Sequence, residues 1–263
     1  MDLDLTGKHA LVCGSSRGIG LAAAIELAQL GANVTLLARS SDSLRNALSA
    51  LPGSDDATRR HGAICVDMSD LAALATQVAA LAHNQPVQIL VNNSGGPPGG
   101  PAHTSRTEDF EIAFRQHLLA GHALVQAVLP GMRESGWGRI VNVISTSVRE
   151  PIVNLGVSNT VRGAVASWAK TLSRELGPHG ITVNNVLPGY TRTGRLEQIL
   201  AERARIAGID EAAVARQMLA TVPVGRFAEA SEVAAAIAFL TSPAAAYING
   251  VSLAVDGGRM QSI

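Results

Sequence analysis

Lysine, tyrosine and cysteine are all scarce in this 263-residue chain. Only Lys8 and Lys170 carry an ammonium side chain, so 21 − 2 = 19 of the basic residues are arginines. Tyrosine occurs twice, as Tyr190 and Tyr247, and neither is followed four residues later by a lysine. Cysteine occurs twice, as Cys13 and Cys65, with no CxxC and no Cys/His cluster, so no metal site is expected and both thiols read as small core residues of strands. There is no excess charge of either sign, which argues against nucleic acid or an anionic membrane as partner. No apolar run reaches the roughly 18 residues that span a bilayer, and the N-terminus lacks the order of a signal peptide, so the expected location is the cytoplasm.

Apolar residues make up 47% of the chain and charged ones 16%, a balance that suits a large folded interior. Short β-rich runs alternate with helical patterns. The strands are expected at 9–13, 33–38, 61–66, 87–91, 139–145, 181–187 and 251–256. Helices are expected at 18–30, 42–51, 70–82, 107–133, 157–176 and 229–241, with a helical insertion over 194–220. Segment 52–60 reads as a surface loop. Alternation of this kind, with continuously apolar strands, implies an α/β fold: one domain with a doubly wound parallel sheet of Rossmann type.

Between the first strand and first helix stands CGSSRGIG, residues 13–20. Glycines at a strand-to-helix turn let backbone amides approach a phosphate, and the helix N-terminus favours the anion. The second strand ends in Ala38-Arg39-Ser40 rather than a carboxylate. Arg39, with Arg17 in the glycine loop, suits a 2′-phosphate, so NADP(H) is the expected cofactor.

The spacing Gly14-x-x-x-Gly18-x-Gly20 resembles that of the short-chain dehydrogenase/reductase family, and further segments extend the resemblance over nearly the whole chain. VDMSD (66–70) is similar to the family's adenine-contacting turn, NNSG (92–95) to the turn after its fourth strand, PGYTRT (188–193) to its nicotinamide-side loop, and YINGVSLAVDGG (247–258) to its last strand. The resemblance implies cofactor contacts at Gly14, Ser16, Arg17, Gly18, Ile19, Gly20, Arg39, Ser40, Asp67, Met68, Asn93, Ser94, Gly95, Arg162, Pro188, Gly189, Thr191 and Thr193. It also implies a homo-oligomer, a tetramer with twofold axes. The apolar side chains Leu118, Leu119, Leu124, Val125, Val165, Trp168 and Leu172 on two helices would supply its interface.

The family's reaction site uses Ser, Tyr-x-x-x-Lys and Asn. Anchored on GRIVNV and ITVNNVLPG, the serine corresponds to Ser145, but Ser158 stands at the tyrosine, Arg162 at the lysine and His117 at the asparagine. That substitution resembles a divergent branch of β-ketoacyl-acyl-carrier-protein-reductase-like members. A serine hydroxyl is a poor proton donor near neutral pH, and arginine stays protonated. His117 has the side chain to titrate near neutrality, though a lone helix histidine is more often packed or solvated. Tyr190 is a second candidate donor. Two readings follow: an NADP(H)-dependent oxidoreductase of a small-molecule carbonyl or alcohol with a nonstandard proton relay, or a silent NADP(H)-binding sensor or partner subunit. A lyase or isomerase in the same pocket is a third.

Overall fold

A computed structural model describes residues 1–54 and 59–262. Residues 55–58 of the expected 52–60 loop lie outside the described residues.

β1 (His9–Cys13) is fully buried, and its neighbours in sequence explain how. Leu11 and Cys13 face one side of the sheet, Ala10 and Val12 the other, because side chains alternate along a strand. The same alternation separates Leu36 from Leu37 in β2 (Asn33–Ala38). Two apolar layers result. One gathers Val12, Leu27, Val34, Leu36 and Ile237 beneath α1 (Gly18–Gln29) and α9 (Ala230–Thr241). The other gathers Leu11, Leu37, Leu90, Leu124, Val128 and Ile140 beneath α3 (Leu71–Asn84), α5 (Ala120–Glu134) and α6 (Gly156–Leu176).

β3 (Gly62–Cys65), β4 (Ile89–Asn92), β5 (Gly138–Val143), β6 (Ile181–Pro188) and β7 (Ser252–Val255) complete a seven-stranded sheet. All pairings are parallel, in the order β3-β2-β1-β4-β5-β6-β7. The chain moves outward from β1 through β2 and β3, then returns to β4 on the other side of β1. That reversal opens a crevice at the carboxyl ends of β1 and β4, where ligands of such sheets bind. The seven expected strands and the doubly wound parallel sheet agree with this architecture. Cys65 corrects the expectation that both cysteines are core residues. Cys13 is buried, but β3 is an edge strand and Cys65 is exposed on it.

The remaining helices are α2 (Ser41–Ser49), α4 (Thr107–Phe114), α7 (Gly194–Ala207) and α8 (Glu211–Leu219). The single helix expected over 107–133 is interrupted: Arg115–Leu119 forms a π-helical turn between α4 and α5, and His117 sits inside it. π-turns reset the helical phase by one residue, and here the reset buries an imidazole. The insertion 194–220 is two helices, joined through Gly208 at φ +65°. No described helix is long and apolar enough to cross a membrane.

Leu124, Val125 and Val165 are buried within the subunit, which removes them from the surface expected to pair with another copy. Ile112, Phe114 and Leu119 are the exposed apolar side chains on the α4–α5 stretch.

Candidate active site

The crevice is assembled by backbone geometry before any reactive side chain enters. Gly14 (φ +57°) and Gly18 (φ +59°) take the left-handed turn that only glycine adopts without strain. A Cβ on Gly20 would overlap the Gly14 carbonyl oxygen, and one on Gly14 would lie 2.7 Å from the Asn93 carbonyl oxygen. The loop is therefore drawn tight against the end of β4, and Asn93 Nδ2 donates to the carbonyls of Cys13 and Gly14, both at 3.3 Å. Buried Ser15 ties the same loop to β2, its Oγ accepting from Leu37 N at 3.0 Å. α1 begins with Arg17 at its N-cap, without a side-chain cap and without an acid in its first turn. Its first N–H groups are thus open toward the crevice, which fits a diphosphate. Ile19 packs onto the core beneath them.

The other expected nucleotide residues surround that loop. Arg39 is exposed and lies 3.9 Å from Asp67, whose carboxyl is held below the ordinary range first by Ser69 hydrogen bonds. Ser40 has a structural task, since its Oγ caps α2 by accepting from Ser43 N at 3.3 Å. Gly189 approaches the Asp256 backbone so closely that a Cβ there would lie 2.7 Å from Asp256 Cα. Thr191 and Thr193 follow, each hydroxyl donating to a backbone carbonyl two residues earlier. Thr193 reaches Gly18, where a Cβ would meet its Cγ2 at 3.3 Å. Pro188 ends β6, opposite Val255.

The reaction half lies across the ends of β4 and β5. Ser145 follows β5, and its Oγ accepts from Ser147 N at 3.1 Å. Ser158 and Arg162 stand one turn apart on α6 and therefore share a face. Both are buried, and Arg162 Nε donates to Ser158 Oγ at 3.2 Å. Arg162 Nη1 donates to the carbonyls of Ile144 (2.7 Å) and Val143 (3.4 Å). One guanidinium thus joins the serine at the tyrosine position to the strand end that carries Ser145. Burial first, and then the neighbouring charge of Arg195, lower the Arg162 pKa to about 10, which leaves it cationic at neutral pH.

The start of α6 is held in place by its own turn. Asn154 has φ +61°, and Asn159 accepts from Ile152 N and donates to Ile152 O. A Cβ on Gly156 would overlap the Ala102 backbone, and Gly156 N donates to Gly100 O at 2.9 Å. These contacts press the glycine- and proline-rich loop 95–101 against the helix.

His117 corrects the expectation of a titration near neutrality. Burial first, and then the charge of Arg162, push its pKa down to about 3. Its Nδ1 is 2.8 Å from Ser94 Oγ. Nε2 has no protein partner among the described residues, and neither has Asn92 Oδ1. Both residues line a cavity of about 20 Å³ together with Met68, Ser94 and Asn142. A neutral buried histidine has a consequence for stability. The unfolded chain protonates it near 6.5 and the folded chain only near 3, so its contribution is intact above pH 6.5 and is lost as pH falls through that window. Thermal unfolding followed between pH 7 and 5 should show a falling midpoint, and His117→Asn should flatten that slope. An unchanged slope in the variant would contradict the buried neutral imidazole.

Tyr190, the second candidate donor, is held by its ring. Its ring packs edge-on to Phe227 with centroids 6.1 Å apart, and the Arg259 guanidinium lies 4.6 Å from its centroid. It belongs to the small core formed with α7 and α8.

One feature of the site has no counterpart in the motif reading. Asn92 Nδ2 donates to Asn142 Oδ1 (2.9 Å), Asn142 Nδ2 to Asn185 Oδ1 (3.0 Å), and Asn185 Nδ2 to Ser252 Oγ (3.1 Å). These residues are directly paired across β4, β5, β6 and β7. The chain runs from the carboxyl ends of β4 and β5 through the middle of β6 to the first residue of β7, and so ties four neighbouring strands together. Its sequence signal is an asparagine in each of three successive strands, intelligible only once the register is known.

A glycine-cradled anion crevice beside a serine-bearing strand end defines a dinucleotide-dependent enzyme fold of the doubly wound class. A family model described as enoyl-(acyl carrier protein) reductase matches residues 14–259, and the chain belongs to this short-chain dehydrogenase/reductase family. Among its relatives, gluconate 5-dehydrogenase of Gluconobacter oxydans is 32% identical over 98% of this chain and 97% of that protein. L-xylulose reductase of Mesocricetus auratus is 33% identical over 98% of each. The crystal structure of L-sorbose reductase from Gluconobacter frateurii, complexed with NADPH and L-sorbose, superposes with a TM-score of 0.93 at 29% identity, covering 100% of both chains.

Proposed function

We propose that this chain is a cytoplasmic NADP(H)-dependent oxidoreductase of a small-molecule carbonyl or alcohol, with Ser145, Ser158 and Arg162 forming its reaction site. It would represent the branch of the family without the Tyr-x-x-x-Lys pair. The observation that carries the reading is the Arg162 guanidinium, which hydrogen-bonds both Ser158 Oγ and the Ile144 carbonyl beside Ser145. A site that had merely decayed has no reason to retain a buried cation, held through Nε and Nη1, at that junction, because burying a charge is costly.

The open N-terminus of α1 and the glycine loop fit the cofactor's diphosphate, and Arg17 and Arg39 would hold its 2′-phosphate. NADP(H), when bound, supplies or accepts the hydride. Ser145 would polarise the substrate carbonyl. The Arg162 cation, directed at Ser158 Oγ, stabilises negative charge on that oxygen, which makes the hydroxyl a better proton donor than an isolated serine. His117 is neutral beside the Arg162 charge and would act there as a hydrogen-bonding group, with Ser94 at its Nδ1, rather than by exchanging its own charge. The helices α7 and α8 would form the lid over the substrate, and the loop 95–103 its opposite wall.

Two measurements test this. NADPH should bind more tightly than NADH, and Arg39→Asp should cut that preference by roughly tenfold, the worth of one charge-assisted contact. Oxidation of NADPH against a panel of carbonyl compounds should find turnover that Ser145→Ala lowers by about 10²-fold or more. Binding of NADPH without turnover on any compound would instead favour the sensor reading. The exposed Ile112, Phe114 and Leu119 support assembly of the chain as a homo-oligomer, a tetramer, with these side chains covered. Light scattering that finds a 27.2 kDa particle at micromolar concentration would contradict it.

A further inference from the structure

Arg162 is a cation in the wrong surroundings for a purely structural residue. It is more than nine-tenths buried, and no carboxylate among the described residues lies within salt-bridge distance of it. Nε and Nη1 are committed to Ser158, Ile144 and Val143. Nη2 makes no hydrogen bond to the protein among the described residues. It faces the loop after β4, where a Cβ built on Gly96 would lie 3.5 Å from it. The same point lies 3.8 Å from Nη2 of Arg195, an exposed residue in the first turn of α7 whose Nη2 donates to Pro97 O at 2.9 Å. Two guanidinium nitrogens therefore come within 4 Å of one spot beside a residue that has no side chain to fill it.

Nothing acidic faces that spot. The chain has no Asp or Glu between Asp70 and Glu108, and none between Glu175 and Glu197, the two stretches that form the walls. The acids nearby are already engaged. Glu150 accepts from Gln261 N and Ser262 N, and Asp256 accepts from Gly258 N and Met260 N. A buried cation beside a second cation, with no counter-charge, costs folding energy that a bound anion would offset.

We propose that Arg162 Nη2 and Arg195 bind the carboxylate of the substrate, which makes the substrate an oxo acid or its hydroxy-acid counterpart. The inference rests on the oxidoreductase reading above and names its substrate class. Arg162 offers Nη2, and Arg195 offers the N–H of Nη2 that Pro97 O does not take, so the pair matches a two-oxygen group better than the three terminal oxygens of a phosphate. The guanidinium that holds Ser158 through Nε presents Nη2 to the anion. The carbonyl at Ser158 and the carboxylate are therefore separated by only one or two bonds, as in a 2-oxo or 3-oxo acid. Arg195 sets specificity; Arg162 contributes to both the reaction and the specificity.

The test uses 2-oxobutanoate and 3-oxobutanoate, each beside its methyl ester, together with dihydroxyacetone phosphate. Calorimetric affinity for the enzyme–NADPH complex and kcat/KM for NADPH oxidation are both measured, on the wild type, Arg195→Gln and Arg195→Lys. At least one acid should bind about tenfold or more tightly than its ester, the worth of one charge-assisted contact. That gap should shrink to roughly threefold or less in Arg195→Gln and be partly kept in Arg195→Lys, as a difference in charge rather than packing requires. The inference is overturned by equal binding of acid and ester in both pairs, by no binding of either acid at millimolar concentration, by a gap that survives Arg195→Gln, or by tighter binding of the phosphate. Acid binding that depends on Arg195 without any NADPH oxidation would sink the oxidoreductase reading and leave the anion site standing. Turnover of the esters with no advantage for the acids would do the reverse.

Discussion

Gly20→Ala should remove NADPH binding almost entirely, by about 100-fold or more in affinity. The added methyl would overlap the Gly14 carbonyl oxygen and would also lie 2.8 Å from Asn93 Nδ2. Gly14 cannot yield, because its own Cβ position is closed by the Asn93 carbonyl and its φ is +57°. The loop must therefore open away from β4, taking the first N–H groups of α1 with it. Overpacking of this kind also costs about 1–3 kcal/mol of stability. Gly163→Ala, in the middle of α6, is the matched control. No atom lies within 4 Å of its Cβ position, so it should keep NADPH affinity and raise stability by about 0.5–1 kcal/mol. Fluorescence titration and thermal unfolding of both variants give the comparison. Intact NADPH affinity in Gly20→Ala would mean that the cofactor does not lie against this loop.

The second large effect concerns the reaction site. Ser158→Tyr with Arg162→Lys and His117→Asn restores the residue types of the common family site, yet it should lower the native turnover by about 10²-fold or more. The reason is geometric. Arg162 spans Ser158 Oγ, Ile144 O and Val143 O with two nitrogens and keeps a third toward Gly96. A single ammonium cannot hold all of these directions. The phenol must also enter a position where Ser158 is only 7% exposed and is already met by Arg162 Nε. Assayed on whichever carbonyl compound the wild type reduces, the triple variant separates two histories. A fall in kcat/KM marks a working serine–arginine site. A rise, with reduction of generic activated ketones, would mark decay from a tyrosine–lysine site and would refute the relay proposed above.

The order of strands and helices was legible in the chain because it rests on local signals. β1, β2 and β4 are short, mostly apolar runs, α3 has its cap in Asp70, and the turn 14–20 needs its glycines wherever it occurs. The glycine loop could be located for the same reason: its requirement is backbone conformation within seven residues. Ser145, Ser158 and Arg162 could be aligned by their spacing from β5, and the i,i+4 pair was bound to share a helix face. Residues 115–119 were harder, since a π-turn has no distinctive composition and the phase of His117 depends on it.

What remained hidden depends on contacts between residues far apart in the chain. Cys65 lies in an apolar run like that of Cys13, but β3 is at the edge of the sheet and β1 is at its centre, so only one thiol is buried. The protonation state of His117 follows from burial and from a guanidinium 45 residues away in sequence, 162 − 117, rather than from the imidazole itself. Asn92, Asn142, Asn185 and Ser252 form a ladder because parallel register sets them side by side. The want of a counter-charge for Arg162 is likewise a property of everything that packs around it. Local periodicity governs which elements form; the electrostatics of a buried group belong to its neighbours in space, and those are assigned by the crossovers of the sheet.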